Sequence, residues 1–185
     1  MSAYNSSKKK QLSVLRKRII DKYYTAQWKE VWFFPSDNEV KGFSGTQNII
    51  FLGLNPSMGH FPSKADKLLY EQLKKNGFQN AHLTDFIKTR LPNKKNNKLE
   101  DSLDFKEQCS FLEKEIRIIS PKMIVFLGEK VQRLFLFKLK DRYPDITTDK
   151  IPHYAYRWAK RNKFKAKFSR EMKRIKNRYK IILKD

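Results

Sequence analysis

The stretch Asn48-Ile49-Ile50-Phe51-Leu52-Gly53-Leu54-Asn55-Pro56-Ser57 is an apolar run that breaks into glycine, a polar amide and proline. An apolar run of strand length, rich in β-branched and aromatic residues and closed by Gly and Pro, is the pattern of a central parallel strand covered on both faces. The strand from about Gln47 to Gly53 therefore delivers Asn55 to the rim of a sheet, and ligands of open α/β sheets bind outside the carboxyl ends of such strands. Taken alone, Gly53-Leu54-Asn55-Pro56 is equally a turn. Asp85 follows a second short apolar run, and His153 follows a weak one ending at Ile151-Pro152. From Arg157 onward the chain carries Lys160, Arg161, Lys163, Lys165, Lys167, Arg170 and further cations, with Glu171 the sole acid before Asp185. Opposite charges normally intersperse on a solvated surface, so this run reads as a contact for a polyanion.

Composition points the same way. The 185 residues carry 41 Lys+Arg against 19 Asp+Glu, a formal charge of +22, which makes nucleic acid the natural partner. An anionic membrane surface is the competing partner. No segment approaches the roughly 20 apolar residues of a transmembrane span, and Met1 to Gln11 has no signal-peptide core, so a soluble, intracellular chain and no membrane partner are expected. A single cysteine, Cys109, excludes an internal disulfide and a cysteine-based cluster. His60, His82 and His153 lack ligand spacing, so no metal or other cofactor is expected. Cys109 reads as a small core residue on an apolar helix face.

Elements alternate along the chain. Ser7 to about Glu30 places Leu12, Leu15, Ile19, Tyr23 and Trp28 on one face of an amphipathic helix. After the first strand, Lys64 to Asn76 spaces Ala65, Leu68, Leu69 and Leu73 helically and stops at Gly77. A strand from about Asn80 to Ile87 follows, then a polar loop from Arg90 to Asp104. Phe105, Cys109, Leu112, Ile116 and Ile119 step along a third helix. Met123 to Gly128 is a buried strand, Val131, Leu134 and Phe135 open another helix, and a weak strand ends at His153. Trp158, Phe164, Phe168, Met172, Ile175 and Tyr179 anchor the carboxy-terminal basic segment, about 157–185. The fold class implied is α/β: a three-layer α/β/α sandwich around a central, mostly parallel four-stranded sheet, in a single domain over 1–185 and as a monomer.

Three segments, Gly53-Leu54-Asn55-Pro56, Leu83-Thr84-Asp85-Phe86-Ile87-Lys88 and Pro152-His153-Tyr154-Ala155-Tyr156-Arg157, resemble in this order the uracil-DNA glycosylase superfamily. Ser120-Pro121-Lys122-Met123-Ile124-Val125-Phe126-Leu127-Gly128 is similar to its proline, buried strand and Leu-Gly turn. The resemblance spans roughly 47–158 and implies a slow, monofunctional glycosylase removing uracil or a related damaged base from DNA. A non-catalytic DNA- or RNA-binding protein on the same fold is the alternative.

The resemblance also implies roles. Asn55 stands at the position whose amide positions the attacking water, and His153 at the position that hydrogen-bonds the base carbonyl oxygen as charge grows there. Gly53, Leu54, Ser57, Phe61 and Asp85 would line the base. Ser57 stands where some branches carry a tyrosine that blocks 5-methyl groups, and Phe61 either stacks on the base or packs in the core. Asp85 stands where the superfamily often has asparagine. As an ionised carboxylate it would only accept hydrogen bonds, which points away from uracil as the preferred base; otherwise it is a cap or loop residue. Tyr154, Tyr156 and Arg157 either fill the gap left by a flipped nucleotide or pack on the last helix. Lys160, Arg161 and Lys163 would hold phosphates. The superfamily histidine is usually followed by proline, whereas here Pro152 precedes His153. Branches with an iron-sulfur cluster use four cysteines, which this chain cannot supply.

Overall fold

The apolar runs form strands because both of their faces are buried. In a computed structural model that describes residues 3–23, 31–56, 60–89, 105–155 and 162–184, the order is α1 (Ala3–Tyr23), β1 (Gln47–Gly53), α2 (Lys64–Lys75), β2 (Ala81–Asp85), α3 (Phe105–Ile119), β3 (Met123–Leu127), α4 (Glu129–Lys138), β4 (Thr147–Ile151) and α5 (Asn162–Ile182). The sheet runs β2-β1-β3-β4, and all three pairings are parallel. The sheet winds one way from β1 to β2 and the other way from β1 to β3. The crevice at the carboxyl ends of β1 and β3 is therefore the switch point at which open α/β sheets bind ligands.

Alternate side chains of each strand point to opposite layers. Ile49, Phe51, Met123 and Val125 pack with Leu69 and Leu73 of α2 and with Phe168, Met172 and Ile175 of α5. Ile50, Leu52, Ile124 and Phe126 pack on the other face with Leu112 and Ile116 of α3 and Val131 and Phe135 of α4. Leu15, Ile19 and Tyr23 of α1 cluster with Phe111. Two helical layers thus enclose the sheet, as the periodicity requires.

The structure differs from expectation at several places. The first helix starts at Ala3 rather than Ser7 and is described to Tyr23, while Trp28 and the rest of 24–30 lie outside the described residues. β2 ends at Asp85 rather than Ile87, although Phe86 and Ile87 still donate to the carbonyls of Gly53 and Leu54 at 2.8 and 2.9 Å. Cys109 is half-buried at the edge of its apolar cluster rather than in the core. The polar loop expected over 90–104 lies outside the described residues. Among the described residues no helix is long and apolar enough to cross a membrane.

Candidate active site

β1 and β2 end side by side, with Gly53 paired to Asp85. Gly53 is required by closeness: a Cβ built there would overlap Oδ1 of Asp85. Asp85 is the last residue of β2 and is only 6% exposed. Because it closes β2 itself, the alternative reading of Asp85 as a cap or loop residue after the strand is corrected. Burial pushes its carboxyl up to about 7, with Lys88 pulling it down and Glu115 pushing it further up. Two residues past Gly53, the half-buried Asn55 donates from Nδ2 to the carbonyl of Pro56 at 3.1 Å, which leaves Oδ1 as the amide's open acceptor. Leu54 is half-buried, and packs against the cluster of α3 and α4.

Beneath this rim lies a polar network that sequence reasoning missed. Lys88, 1% exposed, donates from Nζ to Thr84 Oγ1 at 2.7 Å, to Glu115 Oε2 at 2.9 Å and to the main-chain oxygen of Asp85. Burial pushes the Glu115 carboxyl up, but Lys88 and the His82 contact outweigh it and hold it below its ordinary value. His82 Nε2 lies 3.4 Å from the same Glu115 oxygen. The backbone N–H of Lys88 is taken by Gln108 Oε1 at 2.8 Å. The β2–α3 connection is thus pinned from below at Asp85. The available signal was Glu115 itself, an acid three residues past Leu112 on the apolar face of α3.

The third part of the rim follows β4. Gly128 donates to the Ile151 carbonyl at 3.0 Å, which draws the end of β3 against the start of the His153 segment. Gly128 has φ +110, and a Cβ there would lie 3.2 Å from Cβ of His153, so both its conformation and its neighbour require glycine. His153 Nδ1 accepts from the Ala155 N–H at 3.2 Å, and the ring stacks on Tyr154 at 5.1 Å between centroids. The side chain keeps an exposed edge, yet protein around the ring lowers its pKa below the ordinary histidine value. A neutral imidazole whose Nδ1 accepts carries its proton on Nε2, ready to donate. Burial and the neighbouring carboxyls of Asp85 and Asp66 push the Tyr154 phenol well up, so Tyr154 stands between β2 and the start of α2. Asp66 caps that helix, exchanging bonds with Ser63 at 2.8 and 3.2 Å.

Phe61 is half-buried before α2, edge-on to Tyr70 at 5.5 Å and tilted to Trp32 at 6.2 Å. Its ring is held by aromatic neighbours, which answers for its packing. Lys163 is exposed in the first turn of α5 and lines a groove of about 1030 Å³ with Lys150, His153, Phe164, Lys167 and Arg174. Further along α5, acids from α5 itself and from β4 neutralise part of the basic run. Asp149 of β4 binds Arg174 at 2.6 and 2.9 Å and Arg178 at 2.6 Å, and Glu171 binds Arg174 at 2.8 Å. Ser57, Tyr156, Arg157, Trp158, Lys160 and Arg161 lie outside the described residues.

Asn55, Asp85 and His153 thus come from three separated segments to the carboxyl end of one parallel sheet, the arrangement of a base-excising α/β fold. A model of the uracil DNA glycosylase superfamily matches residues 41–176, and the chain belongs to that superfamily. Membership makes it a hydrolase of the DNA glycosylase type, with DNA as its substrate partner. The fold is similar to the crystal structure of wild-type SMUG2 from Pedobacter heparinus, with a TM-score of 0.50 over 71% of this chain and 77% of that one. The two are 16% identical, so the likeness is one of fold. No curated protein sequence matches the chain.

Proposed function

We propose that this chain hydrolyses the N-glycosidic bond of uracil or a related damaged base in DNA, leaving the sugar-phosphate backbone intact. In this reaction the base leaves as an anion while positive charge builds on the sugar, so the site must grip the base, hold a water and stabilise the departing charge. Asn55 presents Oδ1 to the water. An amide orients water but does not readily take its proton, so rate depends on stabilising charge, and a slow enzyme is expected. His153, neutral with its proton on Nε2, donates to the base carbonyl oxygen. Gly53, Leu54, Ser57, Phe61 and Asp85 surround the base, with Ser57 small enough to admit substituents at its 5-position. Tyr154 closes the pocket beside Asp85, Tyr156 and Arg157 fill the duplex behind the flipped nucleotide, and Lys160, Arg161 and Lys163 hold phosphates.

The observation that supports this reading most is the placement of an open amide acceptor, a buried carboxyl and an imidazole at the carboxyl ends of β1, β2 and β4, one end of one parallel sheet. The test is base release from single- and double-stranded oligonucleotides carrying uracil, hydroxymethyluracil, hypoxanthine, xanthine or a T·G mismatch. Asn55→Ala and His153→Ala are each expected to lower release by about 100-fold or more, as loss of one charge-stabilising group does. Salt-sensitive DNA binding without release from any substrate would replace this reading with a nucleic-acid-binding protein.

A further inference from the structure

The surroundings of Asp85 decide what it can offer a base. From β1 the backbone of Gly53 lies against Oδ1. From α2 the neighbour is Tyr70, and from the segment after β4 it is Tyr154; the Asp85 carboxyl pushes both phenols up. From α3 the charged neighbour is Glu115, and from the connection after β2 it is Lys88. Lys88 is the one cation among these, and its ammonium is directed to Thr84 Oγ1, to Glu115 and to the main-chain oxygen of Asp85 rather than to the carboxyl. Among the described residues no donor reaches the Asp85 carboxyl. A carboxylate with little access to water and no protein donor is costly, and the neutral form, one O–H donor plus an acceptor oxygen, is the form such a place favours.

Resting on the glycosylase reading above, we propose that Asp85 meets the base as a neutral carboxylic acid. It accepts from a ring N–H and donates to the adjacent carbonyl oxygen. That pair fits the lactam edge, the N–H beside C=O shared by uracil, hypoxanthine and xanthine. This reverses what the residue type suggests, since a neutral carboxyl presents the same donor and acceptor pair as an asparagine amide. The position of its proton release, about 7, agrees with that state. Above that pH the group only accepts, and its charge faces the base carbonyl.

The experiment is single-turnover release of uracil and hypoxanthine by wild type and Asp85→Asn from pH 5 to 9. Other titrations in the site cancel in the ratio of variant to wild type. Release by wild type on lactam bases should fall relative to Asp85→Asn by roughly 50-fold between pH 7 and 9, following the neutral fraction of a group that titrates near 7. A ratio flat across this range, with release intact, would overturn the proposal. No release by either protein at any pH would overturn the glycosylase reading and this proposal with it. Thermal unfolding supplies a readout that does not need activity. The folded carboxyl keeps its proton to about 7 and the unfolded one loses it near its ordinary 3.8, so wild type should lose stability relative to Asp85→Asn as pH rises through that window and not beyond it. A stability difference that does not change between pH 4 and 7 would overturn the neutral form.

Discussion

Removing Lys88 should cost this protein more than any surface charge, because its ammonium is one half of a buried pair. Lys88 is 1% exposed and Glu115 is 0% exposed, with 2.9 Å between Nζ and Oε2. Lys88→Met keeps the stem's volume but leaves the Glu115 carboxylate facing only His82 at 3.4 Å. Breaking one partner of a buried pair costs about 3–5 kcal/mol, because an uncompensated charge remains. For a chain of this length that corresponds to a fall in Tm of roughly 6–20 °C. Lys88→Met combined with Glu115→Leu removes both charges and should recover most of the loss, since apolar replacements of buried pairs are often neutral. Urea unfolding at pH 7 measures all four proteins, with a constant slope as the check that only stability has changed. A single-variant cost under about 1 kcal/mol, or a double variant as unstable as the sum of the two, would refute the reasoning that this pair is coupled and dry. The pH dependence gives a second sign. The Glu115 carboxyl is held below its ordinary value, so its contribution is present above the unfolded carboxylate range and is lost as pH falls through the lower folded value. Lys88→Met should therefore narrow its deficit in acid.

Two further perturbations read the rim and the surface separately. Gly53→Ala places a methyl on Asp85 Oδ1 and displaces a buried carboxyl rather than a flexible surface tip. Stability should fall by about 1–3 kcal/mol, as overpacking does, while release of uracil falls by more than unfolding explains when assayed well below the new Tm. Lys163→Ala should make DNA affinity less dependent on salt, by about 0.9 in the log–log slope for a lost phosphate contact. Arg174→Ala should leave that slope unchanged, since Asp149 and Glu171 already hold its guanidinium. Filter binding or fluorescence anisotropy across a salt series distinguishes the two.

Much of the fold was legible because its signals are local. The runs Ile49-Ile50-Phe51-Leu52 and Met123-Ile124-Val125-Phe126-Leu127 are apolar at every position, which only strands covered on both faces require, and the spacing of Leu68, Leu69 and Leu73 or of Phe168, Met172, Ile175 and Tyr179 fixes one helix face each. The candidate site was legible as separate segments, because glycine and proline mark where β1 and β4 leave the sheet. What no local pattern carried was the state of its charges. Asp85 reads as ionised from its residue type, and only the closure of Gly53, Tyr154 and α3 around it favours the proton. Lys88 and Glu115 lie 27 residues apart, and nothing between them announces that they meet. Likewise Arg174 and Arg178 look free in sequence because Asp149, their partner, precedes them by a whole connection and belongs to another element.

The chain carries a net charge of +22, yet the groups proposed to meet the base contribute little of it, and the chemistry gives a reason for that separation. Asn55 has no charge to titrate, protein around the His153 ring favours its neutral form, and burial raises the Asp85 carboxyl to about 7. The leaving base is the one anion the reaction creates there. Were Asp85 ionised about 4 Å from that anion, repulsion at an effective dielectric of 20 would amount to roughly 4 kcal/mol, or about three orders of magnitude in rate. A neutral carboxyl instead donates toward the charge as it forms. The same burial that makes Asp85 costly to ionise therefore serves recognition and departure of the base together. It follows that a group returned to the charged state at this position should harm the chemical step beyond any loss in binding: for wild type between pH 7 and 9, single-turnover rate at saturating DNA should fall along with affinity. A fall in affinity alone would mean that the Asp85 proton acts only in recognition.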